Sequence, residues 1–126
     1  MLEPFFASLA SLGNTMQPIS IDDFQKVTLC TGTIVAARAN EKANKPALVL
    51  EIDFGPEQGI KTSSAQITDL YAPDQLVGTQ VVAVMNFPPL RIAGVKSEVL
   101  VLGAVTDAGV VLLRPDRQVD DGTSIA

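Results

Sequence analysis

The chain has 126 residues, no histidine or tryptophan, one cysteine and a formal net charge of −5. That length suits one domain that buries roughly two-thirds of its unfolded surface, and a composition 47% apolar and 18% charged is not that of a disordered chain. The missing histidine excludes a Ser-His-Asp or Cys-His nucleophile and an imidazole metal ligand. One cysteine leaves neither an internal disulfide nor a thiolate zinc site.

Residues 1–19 read as an N-terminal extension, helical or disordered, or as the product of an upstream start codon ahead of Met16. Phe5, Phe6, Leu9 and Leu12 lie there with Glu3 and without Lys or Arg. A secretory signal needs a positive n-region, and no stretch reaches the ~20 apolar residues of a membrane helix. The expectation is a cytoplasmic protein without membrane insertion.

Residues 20–126 read as one domain. Ser20 suits a helix N-cap with Asp22 and Asp23 in the first turn. The helix runs over Ile21–Lys26, with Ile21 and Phe24 on its buried side. From Val27 to Ala39 the period is two, and Gly32 in the middle marks a bulge or bend. After a polar loop holding Lys42 and Lys45, Ala47–Phe54 alternates, with Leu48, Leu50, Ile52 and Phe54 inward and Val49, Glu51 and Asp53 outward. Gly59–Ser63 is a third strand, and Ala65–Leu76 a short helix and loop broken by Pro73. The apolar run Gln80–Asn86 is a strand buried on both faces and ended by Pro88-Pro89. Val99–Val105 is the fifth strand, and Asp107-Ala108-Gly109 turns the chain into Val110–Leu113. A polar tail follows.

This order describes an all-β chain with short helices: a five-stranded Greek-key barrel of the OB-fold type with N- and C-terminal extensions. A small β-sandwich is the competing architecture.

The net charge argues against a protein that coats nucleic acid. Yet Gln75 to Ser97 contains no Asp or Glu and does contain Arg91 and Lys96. Guanidinium pairs with phosphate in a bidentate way, and ammonium acts as a point charge. Asn86 and Ser97 can meet base edges or sugar hydroxyls. As structural alternatives, Asn86 caps a turn and Arg91 pairs with Glu98. Lys61, Ser63 and Ser64 form a second hydroxyl-and-lysine patch, and Lys42 and Lys45 a supporting one. Phe87, Pro88, Pro89, Leu90 and Ile92 form an apolar run suited to peptide. Cys30 reads as a buried thiol, Phe54 as core, and Glu51 with Asp53 as a solvated strand face. No catalytic residue, metal site or cofactor is expected.

Asn86–Gly103, NFPPLRIAGVKSEVLVLG, resembles the signature of the tRNA-binding domain family. KTSSAQITDLY (61–71) and DDFQKVTLCTGTIVAA (22–37) are similar to its CsaA branch. The resemblance implies an OB-fold core, a homodimer, tRNA binding through the barrel, and a chaperone role linked to protein export. This chain has Leu90-Arg91 where many members carry two basic residues, and Val99-Leu100 in place of the Gly-Met of the synthetase-type branch. Two functional expectations follow. One is a non-catalytic tRNA-binding dimer. The alternative is primarily a chaperone for unfolded or pre-export polypeptides, with incidental RNA binding.

Overall fold

The computed structural model describes residues 16–126, and the extension expected over 1–15 lies outside them. Residues 16–19 are exposed chain without regular structure. Helix α1 (Ile21–Gln25) begins where the cap places it, with Ser20 Oγ accepting from the Asp23 amide at 3.1 Å. Its expected buried side is not buried: Ile21 is 67% and Phe24 36% exposed. Among the described residues no element covers this single turn ahead of the barrel, and no residue of α1 is buried.

Strand β1 (Leu29–Ala39) is long because it serves two neighbours. Its first half pairs antiparallel with β4 (Gln80–Val84), its second with β2 (Leu48–Asp53). β2 pairs in turn with β3 (Ile60–Ala65). A single-turn helix α2 (Gly55–Gln58) joins them.

The irregularity in β1 is not at Gly32, which stays in register opposite Val81. The ladder slips between Ile34 and Ala36, leaving Val35 turned out and exposed. Gly32 has a different purpose. A Cβ there would sit 2.6 Å from Phe54 Cδ1 and 2.7 Å from Ile52 Cγ2, so its missing side chain makes room for the Phe54 ring. In β2, Val49 departs from the outward set expected for it. Val49 and its cross-strand neighbour Ser64 are both buried, so that end of the outer face is covered.

Helix α3 (Pro73–Leu76) starts at the proline instead of being broken by it. At the first helical position the absent N–H has no partner to lose. The Gln75 side chain accepts from the Ala72 amide at 3.1 Å, and Leu76 drops into the core.

After β4 come β5 (Leu90–Ile92) and β6 (Val95–Ser97), a hairpin not expected from the sequence. The fifth strand is shorter than expected. β7 (Leu100–Val101) pairs with β4, and then β8 (Gly103–Thr106) and β9 (Gly109–Leu112) form a separate hairpin around the Asp107-Ala108 turn. The sheet order is β3-β2-β1-β4-β7. It curls until its far edges meet at Ser97-Glu98. The Glu98 amide donates to the Thr62 carbonyl at 2.8 Å, the Thr62 amide to Glu98 Oε1 at 3.1 Å, and the Ser64 amide to Ser97 Oγ at 3.0 Å. This is the nearly closed antiparallel barrel of an OB-like fold. Ile34, Leu50, Ile52, Phe54, Val81 and Ala83 fill it, each at most 1% exposed.

The C-terminal segment is bound along β1. Gly122 N donates to Thr31 O at 2.8 Å, Thr31 N to Thr123 O at 3.0 Å and Ile125 N to Leu29 O at 3.0 Å. Asp121 Oδ1 accepts from Thr33 Oγ1 at 2.6 Å and from Gln80 Nε2 at 3.1 Å. Arg117 lies 3.5 Å from Asp116, an exposed pair at the surface.

Cys30 lies under this segment, bridged to Ser124, and is 6% exposed. Burial pushes its thiol pKa up, leaving little thiolate to react. Native protein should therefore resist a bulky thiol reagent and react fully once denatured, as a spectrophotometric thiol assay reads directly. Rapid native labelling would show instead that the tail detaches from β1. Among the described residues, no helix is long and apolar enough to cross a membrane, and no group of three or more His, Cys, Asp or Glu is placed to hold a metal.

Candidate nucleic-acid interface

The acid-free stretch folds into the β5–β6 hairpin. Its register sets Leu90 opposite Ser97, Arg91 opposite Lys96 and Ile92 opposite Val95. Successive strand residues point to opposite faces. The hairpin therefore has one face bearing Arg91 and Lys96 and another bearing Leu90, Ile92, Val95 and Ser97. Both cations are exposed, while Ser97 is buried where the barrel closes. The apolar face is thus the one turned toward the barrel.

Arg91 Nη1 donates to the Gly94 carbonyl at 3.4 Å, and among the described residues neither cation has a salt bridge. Glu98, a partner considered for Arg91, is used on the Thr62 amide instead. Like charges directly opposite one another destabilise a two-stranded pair, a repulsion that an anion placed between them would relieve.

The turn of the hairpin has positive φ at both central residues, 46° at Ala93 and 83° at Gly94. That is the type I′ geometry that matches strand twist. Glycine suits the second position, whereas alanine at the first is strained. Ala93→Asn should raise stability by up to about 1 kcal/mol, because asparagine tolerates the left-handed region better. A urea midpoint that fell would show that the alanine methyl makes a contact worth more than the strain.

The other sequence-predicted residues fall into distinct environments. Asn86 is a clasp: Oδ1 accepts from Thr28 N at 2.9 Å and Nδ2 donates to Lys26 O at 2.7 Å. Both its polar ends are engaged with the α1–β1 link, the structural reading of this residue. Ser63 and Ser64 are 1% and 2% exposed, so the hydroxyls of the second patch are turned away from solvent. Lys61, half-buried, lies beside them on β3 opposite Ile52. Ser97 is occupied at the barrel seam with Ser64. Lys42 and Lys45 are exposed on the β1–β2 loop. Phe87 and Leu90 are 38% and 37% exposed, Pro88 is exposed, and Ile92 is half-buried.

Lys42 and the hairpin are brought together: a Cβ on Gly94 would lie 4.0 Å from Lys42 Cδ. Arg38 borders the same cleft and had not been singled out from the sequence. By alternation it shares the parity of buried Cys30 and Ile34, and only the slip between Ile34 and Ala36 turns it out to solvent.

Residues 29–124 match the family described as "Putative tRNA binding domain". Among solved structures, the chain is similar to the chaperone CsaA of Bacillus anthracis str. Ames, with 50% identity and a TM-score of 0.82, covering 87% of this chain and 100% of that one. The CsaA chaperone protein of Picrophilus torridus gives 47% identity and a TM-score of 0.82, covering 86% and 100%. The methionine–tRNA ligase of Methanococcoides burtonii is 37% identical over 108 residues, which are 85% of this chain and 16% of the ligase. The chain thus spans only a small part of the curated ligases it matches. By the extent of the family match and the full-length likeness to both CsaA structures, the chain belongs to the tRNA-binding domain family and is of the CsaA type.

Proposed function

We propose that this chain is a non-catalytic tRNA-binding protein that works as a homodimer and also serves as a chaperone for pre-export polypeptides. The observation that carries the RNA part is the Arg91–Lys96 cross-strand pair: two exposed like charges in register, with no carboxylate bridging them among the described residues. A phosphate between them removes their repulsion and gains charge-assisted hydrogen bonds. The ligases of the family comparison act on tRNA by name, which supports that ligand.

Dimerisation is supported by apolar side chains near both ends of the described chain. Met16, Ile19 and Ile21 are 94%, 69% and 67% exposed, and Ile125 is 37% exposed. Pairing doubles each small basic face, and the resulting avidity offsets the acidic whole. The chaperone part is supported by the exposed Phe87-Pro88-Pro89-Leu90 run and by the chaperone titles of both CsaA structures.

Light scattering with and without unfractionated tRNA tests the reading. The expected free species has twice the 13.3 kDa chain mass, and tRNA joins it in a complex that salt dissolves. A stable monomer overturns the dimer. A protein that ignores tRNA at low salt overturns the RNA function and leaves the chaperone reading in its place.

A further inference from the structure

An open cleft separates the β1–β2 loop from the turn of the β5–β6 hairpin, with Arg38, Asn40, Glu41, Lys42 and Gly94 in its lining. Two cations line it from the β1 side, and Arg91 stands at the hairpin turn beyond the other wall. Arg38 stands exposed near the end of β1. Lys42 lies along the Gly94 turn, and the Arg91 guanidinium reaches the Gly94 carbonyl. Among the described residues, Glu41 is the single carboxylate of the lining, and Arg38 and Lys42 have no salt bridge.

Asn40 is the unusual member. It is 8% exposed, and its Oδ1 accepts from the Lys42 amide at 3.2 Å. Its Nδ2 is buried with no hydrogen-bond partner. A buried donor left unmade is costly, and in a native fold it calls for a reason. The loop beyond it is tied at its base by Asn40 N to Ala47 O, 2.9 Å, while residues Glu41, Lys42, Asn44, Lys45 and Pro46 are exposed.

We propose that this cleft is a subsite for one backbone phosphate of the bound RNA, with Arg38 and Lys42 supplying charge and Asn40 Nδ2 a neutral donor. The proposal rests on the RNA-binding reading of the hairpin and extends that site across the cleft. Nδ2 is shielded in the free chain, so the phosphate reaches it when the loop carrying Lys42 swings outward. The Lys42 amide to Asn40 Oδ1 bond at 3.2 Å and the Ala43 N to Asn40 O bond at 3.3 Å are both long, so that motion gives up weak bonds. Gly94, at φ 83°, forms the opposite wall with Lys42 Cδ 4.0 Å from where a Cβ would sit, an ordinary contact distance.

The test is tRNA binding across a salt series for Arg38→Ala, Arg38→Lys, Asn40→Asp and the reference variant Arg91→Ala. Asn40→Asp keeps the oxygen that caps the Lys42 amide while replacing the donor with a negative charge. The expected result is about tenfold weaker binding for Arg38→Ala and at least that for Asn40→Asp, the scale of one charge-assisted hydrogen bond. Arg38→Ala should also flatten the log–log salt slope by about one, and Arg38→Lys should restore the slope. A purely structural role for these residues would leave the slope unmoved. If Arg91→Ala weakens binding and Arg38→Ala does not, the subsite is wrong and the hairpin reading stands. If none of the variants changes binding, the hairpin reading fails and the subsite with it. Because Arg38 is exposed, its variants decide the matter even if Asn40→Asp unfolds.

Discussion

Arg91→Ala is expected to weaken the binding of all tRNAs by a similar factor. Arg91 stands on an exposed strand face opposite Lys96, and a phosphate contact positions a nucleic acid without reading its bases. Loss of one such contact should lower the log–log salt slope by about 0.9 on a duplex and about 0.7 on a single strand. Lys96→Ala should do the same. The double variant should lose less than the sum, since removing one cation also relieves the repulsion felt by the other.

Peptide binding should respond differently, because Leu90 and Ile92 lie on the other face of the hairpin from Arg91 and Lys96. Leu90→Ala should weaken a peptide and leave tRNA nearly unchanged. The same geometry limits Leu90→Arg, whose added charge emerges from the face opposite Arg91, so its gain in tRNA affinity should be smaller than the loss from Arg91→Ala. Filter binding across a salt series, with a fluorescent unfolded peptide as second ligand, reads all of these. If both cation variants keep wild-type affinity and slope, the RNA lies elsewhere on the barrel.

The second large effect concerns stability. Phe54 is 1% exposed, and its ring occupies the space left by Gly32. Phe54→Ala should cost about 3–5 kcal/mol, the usual range for emptying a buried aromatic site. That is a large part of the ~5–15 kcal/mol that holds a domain together. Gly32→Ala forces a methyl to within 2.6 Å of the ring in a β1 flanked by β4 and by the C-terminal segment. Overpacking of this kind typically costs about 1–3 kcal/mol. Gly32→Ala combined with Phe54→Leu should be less damaging than the two costs added, since the smaller side chain vacates the space the methyl needs. Urea unfolding of the four proteins completes the cycle. Strict additivity would show that Gly32 and Phe54 do not share that space, and that the glycine serves the backbone instead.

Much of the barrel was legible in the residues themselves. Alternation marked Leu48, Leu50, Ile52 and Phe54 as inward-facing, and all four are at most 2% exposed. Ser20 with Asp22 and Asp23 announced the cap of α1, and the unbroken apolar run announced β4 as a strand buried on both faces. Such signals are local. A strand or cap is specified by the residues within a few positions of it, so composition and spacing suffice. The family resemblance carried by Asn86–Gly103 is equally local: it singles out the segment with Arg91 and Lys96, but not the hairpin that segment forms.

What the tertiary structure decided was every question of partnership. Asn86 and Ser97 are residue types that RNA sites use, and nothing in their spacing shows that their polar atoms are engaged, nor that Ser63 and Ser64 are buried. Asn86 meets backbone 58 and 60 positions away, and Ser97 meets Ser64 33 positions away. The apolar side chains of α1 look like core by pattern but are left exposed, with no element covering them among the described residues. Gly32 signalled a bend by its type, whereas its cause is a phenylalanine on the neighbouring strand. Residue type and period determine how a segment folds, but closure of the barrel determines which side chains are consumed in holding it shut. Among the described residues, Arg91 and Lys96 on the hairpin and Arg38 and Lys42 across the cleft are exposed cations that this closure leaves at the surface.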